Sequence, residues 1–235
     1  MKAWQEDYLH EFWNIGDEYA LFRAMSKFAA GLDFEFCTHF LRAPWPPSNP
    51  SVHVTSNYSA DWQRRYSEND YLSIAPVVRH CLRSHDPLAW DGALFEDTPD
   101  FYEESCAEGV RYGWTMPCHC PNNVLSLLSL ARSGKAISAS ELKDKQFKLA
   151  WLAQAARLGA IRHLLPRLMP AQKEELTERE LSVLRWTADG KNSNDIAEIL
   201  RISKRTVDFH ASNAASKLGA PNRTAAVLAA MLGLL

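Results

Sequence analysis

Three aromatic residues, Tyr58, Trp62 and Tyr66, recur at a spacing of four in the stretch SNYSADWQRRYSENDYLSIAPVV, residues 56–78. On a helix that spacing sets all three rings along one face. Each ring carries a hydrogen-bond donor, whereas an ordinary core face uses Leu, Ile or Val, which need no partner. Spacing alone leaves two readings: the donors address a bound small molecule, or amphipathic rings sit half-buried at the edge of a core. A second group, C-H-C at 118–120 and H-C-L-R-S-H at 80–85, raises metal or thiol chemistry. Neither has the paired C-x-x-C spacing of a structural zinc site, so both read as packing residues, and no metal or cofactor is expected. The chain holds no G-x-S-x-G elbow, P-loop or dinucleotide fingerprint, and an enzyme is not expected.

The elements that must position the aromatic residues come from an ordinary globular composition. The 235 residues are 46% hydrophobic and 23% charged, enough for two domains. No stretch approaches eighteen uninterrupted apolar residues, and the first residues do not form a signal-peptide pattern. Five cysteines without a repeating framework fit reduced thiols, so a cytoplasmic protein without membrane association is expected. Helical periodicity runs to about Gly31, FCTHFL and SVHVT read as strands, and NVLSLLSLAR as a buried strand. From Ser140 to His163 apolar residues at Leu142, Phe147, Ala150, Trp151, Leu158 and Ile161 predict an amphipathic helix. Pro166 and Pro170 then break the pattern. The expected organisation is an N-terminal α/β domain over residues 1–165, a linker at 166–173, and a C-terminal domain over 174–235.

The C-terminal segment reads as four helices. Thr177 followed by Glu180 is a capping box, and Gly190 stops the first helix. Asn192 and Ser193 are capping candidates for a second helix, and Ser203 for a third that runs to Leu218 and Gly219. A short helix, a tight turn and a longer helix make a helix-turn-helix, closed by the apolar PNRTAAVLAAMLGLL. The formal net charge of the chain is -2, and the module from Glu174 onward holds eight cations against eight acids. Between Arg201 and Arg223, however, five cations face one acid, Asp208, which makes the third helix and its flanks locally basic.

The run LTERELSVLRWTADGKNSNDIAEIL, followed by ISKRTVDFH, N-A and K-L, resembles the DNA-binding domain of LuxR-type transcriptional regulators along the whole module. The resemblance implies that residues 203–218 form the recognition helix, with Val207, Ala211, Ala214 and Leu218 facing the core. It leaves Lys204, Arg205, Asp208 and Ser212 as base-reading or groove-facing candidates. Thr206, His210, Asn213 and Lys217 become backbone contacts or structural supports. A homodimer on a palindromic double-stranded DNA operator is expected, since each module reads one half-site.

Trp62, Tyr66, Pro76, Trp90 and Gly113, with Tyr58 and the strand carrying Ser129, resemble the autoinducer-binding domain of the quorum-sensing members of that family. The implied fold is an α-β-α sandwich, an antiparallel sheet with helices on both sides, that binds an acyl-homoserine lactone. Trp62 would donate to the lactone carbonyl, Tyr58 and Ser129 would address the acyl carbonyl, and Tyr66, Trp90 and Phe101 would wall the pocket. Leu127 shares a strand face with Ser129 and should flank the same pocket. The pattern breaks at Ala75, where the family has an Asp that accepts the ligand amide N–H. Acyl-homoserine lactone sensing, a ligand lacking that N–H, and a regulator that needs no ligand all remain compatible with this change.

Overall fold

The structure is a computed structural model that describes residues 12, 15–46, 48–169 and 174–232. The expected helical opening before Phe12, the end of the linker at 170–173, and the last three residues of the closing helix lie outside the described residues. The chain divides into two compact units, one comprising most of residues 1–165 and one centred on Pro166–Leu235.

In chain order the first unit contains helix α1 (Glu18–Ala30), strands β1 (Phe36–Arg42) and β2 (Val52–Ser56), and helices α2 (Ala60–Glu68), α3 (Tyr71–Ile74) and α4 (Pro76–Cys81). Strand β3 (Leu88–Trp90), a 3-10 turn (Gly92–Phe95), helix α5 (Pro99–Ala107), strands β4 (Tyr112–His119) and β5 (Leu125–Arg132), and helix α6 (Ala139–His163) follow. The five strands form one antiparallel sheet in the order β2-β1-β5-β4-β3. β5 is buried almost throughout, which explains why it reads as an unbroken apolar run rather than an alternation.

Helices cover both faces of this sheet. One face packs Leu128 and Leu130 of β5 against Met25 and Phe28 of α1 and Leu149, Leu152 and Ala153 of α6. The opposite face carries a second core of Trp62, Tyr71, Trp90, Phe95 and Phe101. Helix α6 departs from the expected apolar stripe: its buried residues are Leu149, Leu152, Ala153, Ala156 and Ala160. Phe147 and Leu158 are instead 77% and 53% exposed. Close approach of α1 favours small residues on the inner face: a Cβ on Gly159 would stand 2.5 Å from Leu21. Arg132 closes the sheet end, buried and bidentate to Glu141 at 2.7 Å from each guanidinium nitrogen.

The expected linker begins differently. Helix α6 ends at His163, and Leu165–Leu168 form a further helical turn, α7. Pro166 is tolerated there because the first turn of a helix needs no amide donor.

The second unit contains α8 (Glu178–Ala188), α9 (Ser193–Leu200), α10 (Lys204–Lys217) and α11 (Arg223–Met231). Thr177 and Glu180 form the expected capping box, and Asn192 with Asp195 forms a second. Ser203 accepts from the Thr206 amide and starts α10. Only Arg201, Ile202 and Ser203 separate α9 from α10, and Arg201 takes the left-handed conformation (φ 53°) that turns the chain so sharply. Val207, Ala211, Ala214 and Leu218 all face the core. Among the described residues no helix is long and apolar enough to cross a membrane.

Candidate ligand cavity and exposed face of the helix-turn-helix

Between the second face of the sheet and helices α2 to α5 lies a cavity of about 470 Å³. All eight residues expected from the sequence, Tyr58, Trp62, Tyr66, Ala75, Trp90, Phe101, Leu127 and Ser129, line it. They come from five separate segments, held together by sheet register and one aromatic cluster. The ring of Trp62 stacks on Phe101 (6.1 Å, 13°) and meets Tyr66 edge-on at 5.9 Å.

Tyr58 does not lie on a helix, contrary to the reading of three rings on one helical face. Ser59 accepts from the Trp62 amide at 3.0 Å and caps α2, so helical geometry begins only at Ala60. Tyr58 reaches the cavity from the preceding turn, packed against Phe36 at 5.6 Å.

Trp62 is 1% exposed, yet no protein group among the described residues accepts its indole N–H, and the Tyr66 hydroxyl is equally unpaired. Burial pushes the Tyr58 hydroxyl up to about 12 and raises that of Tyr66 as well, so both remain neutral donors. Trp90 has a different position. Its indole donates to Thr115 Oγ1 at 3.0 Å, and Thr115 shares a 2.7 Å hydrogen bond with Ser129. Since an indole only donates, Thr115 accepts there, and its own proton is available to Ser129. Ser129 can then turn its hydroxyl proton towards the cavity.

Gly113 explains how Trp90 fits. The two residues pair across β3 and β4, and a Cβ at Gly113 would stand 2.1 Å from the indole and 2.6 Å from the Leu130 carbonyl oxygen. The indole therefore lies flat over a residue with no side chain. Ala75 is 3% exposed and sits in the aromatic cluster, where its backbone joins α3 to α4. Residues before proline favour extended backbone, which fixes this bend (φ -56°, ψ 117°).

Several lining residues were not legible beforehand, among them Thr38, Phe40, Val52, Val54 and Val110. The strand alternation of β1 and β2 could have nominated the first four, but nothing in the sequence says which sheet face holds the cavity. Val52, Val54, Gln63, Ser67 and Asp70 are lining residues that are also exposed, and they mark its mouth.

In the second unit, Lys204, Arg205, Asp208 and Ser212 are exposed on α10. Asp208 accepts from Ser193 at 2.7 Å, and Ser193 in turn accepts from Arg223 at 2.8 Å, so these groups tie α9, α10 and α11 together. The Thr206 hydroxyl pairs with Ser203 at 2.8 Å, while His210 and Asn213 are half-buried. Lys217 turns inward, donating to Glu180 at 2.9 Å and to the Glu175 carbonyl at 3.2 Å. Burial would raise the Glu180 carboxyl, but the Thr177 amide, Lys217 and the Thr177 hydroxyl outweigh it and hold the carboxyl below its usual range. With Lys217 and Arg223 both engaged inside the module, the exposed cations of this segment are Arg201, Lys204 and Arg205. Phe209 was not anticipated: it is 60% exposed on the same face.

All five cysteines are free thiols, and burial pushes Cys118 up to about 11. Among the described residues no group of three His, Cys, Asp or Glu could hold a metal ion.

Comparison with known proteins gives both units a counterpart. A family model described as autoinducer binding domain matches residues 17–158, and one described as bacterial regulatory proteins, luxR family, matches residues 174–230. The transcriptional activator protein AnoR of Acinetobacter nosocomialis is 35% identical over the full length of both chains. The HTH-type quorum-sensing regulator RhlR of Pseudomonas aeruginosa is 34% identical, over 99% of this chain and 96% of its own. A structure of SdiA in complex with octanoyl-rac-glycerol superposes with a TM-score of 0.83 at 31% identity, covering 99% of this chain and 95% of that one.

Proposed function

The chain belongs to the LuxR family of bacterial regulatory proteins, with an autoinducer-binding domain and a DNA-binding domain, and on that premise we propose that its cavity receives an acyl-homoserine lactone or a related acylated signal. The observation that carries this reading is the pairing of a roughly 470 Å³ apolar cavity with donors that have no partner among the described residues, on buried Trp62 and half-buried Tyr66. The volume lies within the usual range of ligand pockets, about 300–1,000 Å³. Trp62, Tyr66, Tyr58 and Ser129 supply donors to the carbonyls of the head, and Phe40, Leu72, Val52, Val54 and Leu127 supply apolar wall to the chain. The same donors suit octanoylglycerol, the compound named for the SdiA structure, which is an acyl ester and no lactone.

In the second unit α10 acts as the recognition helix, with Lys204, Arg205, Asp208 and Ser212 facing the major groove of double-stranded DNA. Thr206, His210 and Asn213 serve as supports or backbone contacts, and Lys217 as a structural support. The active species is a homodimer on a palindromic operator in the cytoplasm, each subunit reading a half-site. Ligand stabilises the first domain by mass action and so sets the population able to bind DNA. The test is fluorescence anisotropy of the purified protein on selected operator DNA at fixed salt, with and without a lactone panel. A lactone-dependent shift of the binding curve supports the reading. Equal DNA binding with every lactone and with none refutes lactone control and leaves a regulator that acts without a lactone signal, the reading to which Ala75 points.

A further inference from the structure

Among the described residues the aromatic cluster around Ala75 carries no carboxylate, its polar side-chain groups being indole N–H groups and tyrosine hydroxyls, while the Thr38 hydroxyl, which can donate or accept, lines the cavity outside that cluster. Trp62 offers an N–H that can only donate, and no protein group among the described residues receives it. Tyr66 and Ser129 add hydroxyl donors, and Ser105 has its proton engaged with the Tyr102 and Val110 carbonyls at 2.9 and 3.0 Å. Among the described lining residues the one carboxylate is Asp70, which is exposed and stands at the mouth rather than in the aromatic cluster. Ala75 meets the cavity inside that cluster with a methyl group, beside Trp62, Tyr71 and Phe101. A ligand entering here finds donors for its oxygens and an apolar surface where its linkage passes Ala75.

We propose that this chain selects acyl esters over the corresponding acyl amides. The inference rests on the ligand-binding reading of the same cavity and names its ligand class. An ester linkage brings two acceptor oxygens and no donor, matching the wall. An amide brings an N–H that loses its water and faces the Ala75 methyl, where no carboxylate takes it. An unpaired buried donor of that kind corresponds to about five- to 150-fold in affinity.

The experiment uses the full chain and a matched pair of probes, N-octanoyl-homoserine lactone and its isostere with the amide N–H replaced by oxygen, α-octanoyloxy-γ-butyrolactone. Titration followed by tryptophan fluorescence or calorimetry gives both dissociation constants. The expected result is an ester at least about five-fold tighter than the amide, with the order reversed in Ala75→Asp. Ala75→Asn, whose side-chain carbonyl accepts without a charge, serves if the aspartate variant does not fold. An amide that binds wild-type protein as well as or better than the ester overturns the inference while leaving ligand binding intact. If neither probe binds, the ligand-binding reading itself fails, and this inference with it.

Discussion

Replacing Trp62 by Phe separates the donor of the cavity wall from its aromatic surface. The phenyl ring keeps the stacking plane against Phe101, 6.1 Å away at 13°, and the edge contact to Tyr66. Because no protein group among the described residues receives the indole N–H, the ligand-free protein loses no hydrogen bond among them, and its melting temperature should change by only a few degrees. The ligand complex loses a bond to a carbonyl, worth about 1–3 kcal/mol once the oxygen is left buried and unpaired. At a ligand concentration about 100 times the wild-type dissociation constant, binding stabilises the native state by about 2.7 kcal/mol. With a loss near the middle of that range, about 2 kcal/mol, affinity falls roughly thirty-fold and the same concentration contributes only about 0.9 kcal/mol. At about 2–4 °C per kcal/mol for a domain of this size, the ligand-induced rise in melting temperature should drop from about 5–11 °C to about 2–4 °C. Differential scanning fluorimetry with and without ligand measures both quantities. An unchanged ligand-induced rise would refute the donor role of Trp62. A large drop in the ligand-free melting temperature would show that the indole is a packing element instead.

Gly113→Ala should destabilise the first domain by about 1–3 kcal/mol, or displace Trp90 from the wall and abolish ligand binding; wild-type stability and affinity would disprove the close approach of 2.1 Å. Arg205→Ala should cost about 1–3 kcal/mol of operator affinity and relax sequence discrimination, as for a groove-facing base reader; uniform weakening across sequences with the salt slope lowered by about one would make Arg205 a phosphate contact instead. His39 is buried against Ser126 at 2.9 Å, and burial, with the nearby His53, lowers it from 6.5 to about 4. Its folded value is depressed, so the unfolded chain takes up the proton first, and this contribution to stability is complete above pH 6.5 and lost as pH falls towards 4. Thermal melts across that window should decline less steeply in His39→Gln, and equal slopes would exclude His39 as a source of acid sensitivity.

The helix-turn-helix was legible in the sequence because its determinants are local. Capping boxes join residues three apart, Gly190 and Gly219 both take positive φ (81° and 62°), and the buried stripe Val207, Ala211, Ala214 and Leu218 repeats within one helix. Spacing of that kind survives translation into structure whatever lies nearby. The strands β1, β2 and β5 were readable for the same reason, whereas the three-residue β3 was too short to carry a pattern. In α6, apolar residues occur all round the helix, so only its partner α1 decides that Leu149 and Leu152 go inward and Phe147 stays outside.

The cavity was nominated by residue type and family pattern, but it was assembled by contacts between distant segments. Sequence pattern marked Trp90 and Gly113 yet gave no reason for their pairing; strand register lays one over the other. Four-residue spacing suggested that Tyr58 rode on a helix, yet a hydroxyl one residue later starts that helix without it. Lys217 counted as a surface cation until a buried Glu180, thirty-seven positions away, turned it inward. The sequence by itself thus determined what depends on neighbours along the chain: helix ends, strand runs and the absence of a carboxylate at position 75. Tertiary structure alone decided which donors stay unpaired and which charges are neutralised, because hydrogen bonds and ion pairs depend on distances that folding sets between residues remote in sequence.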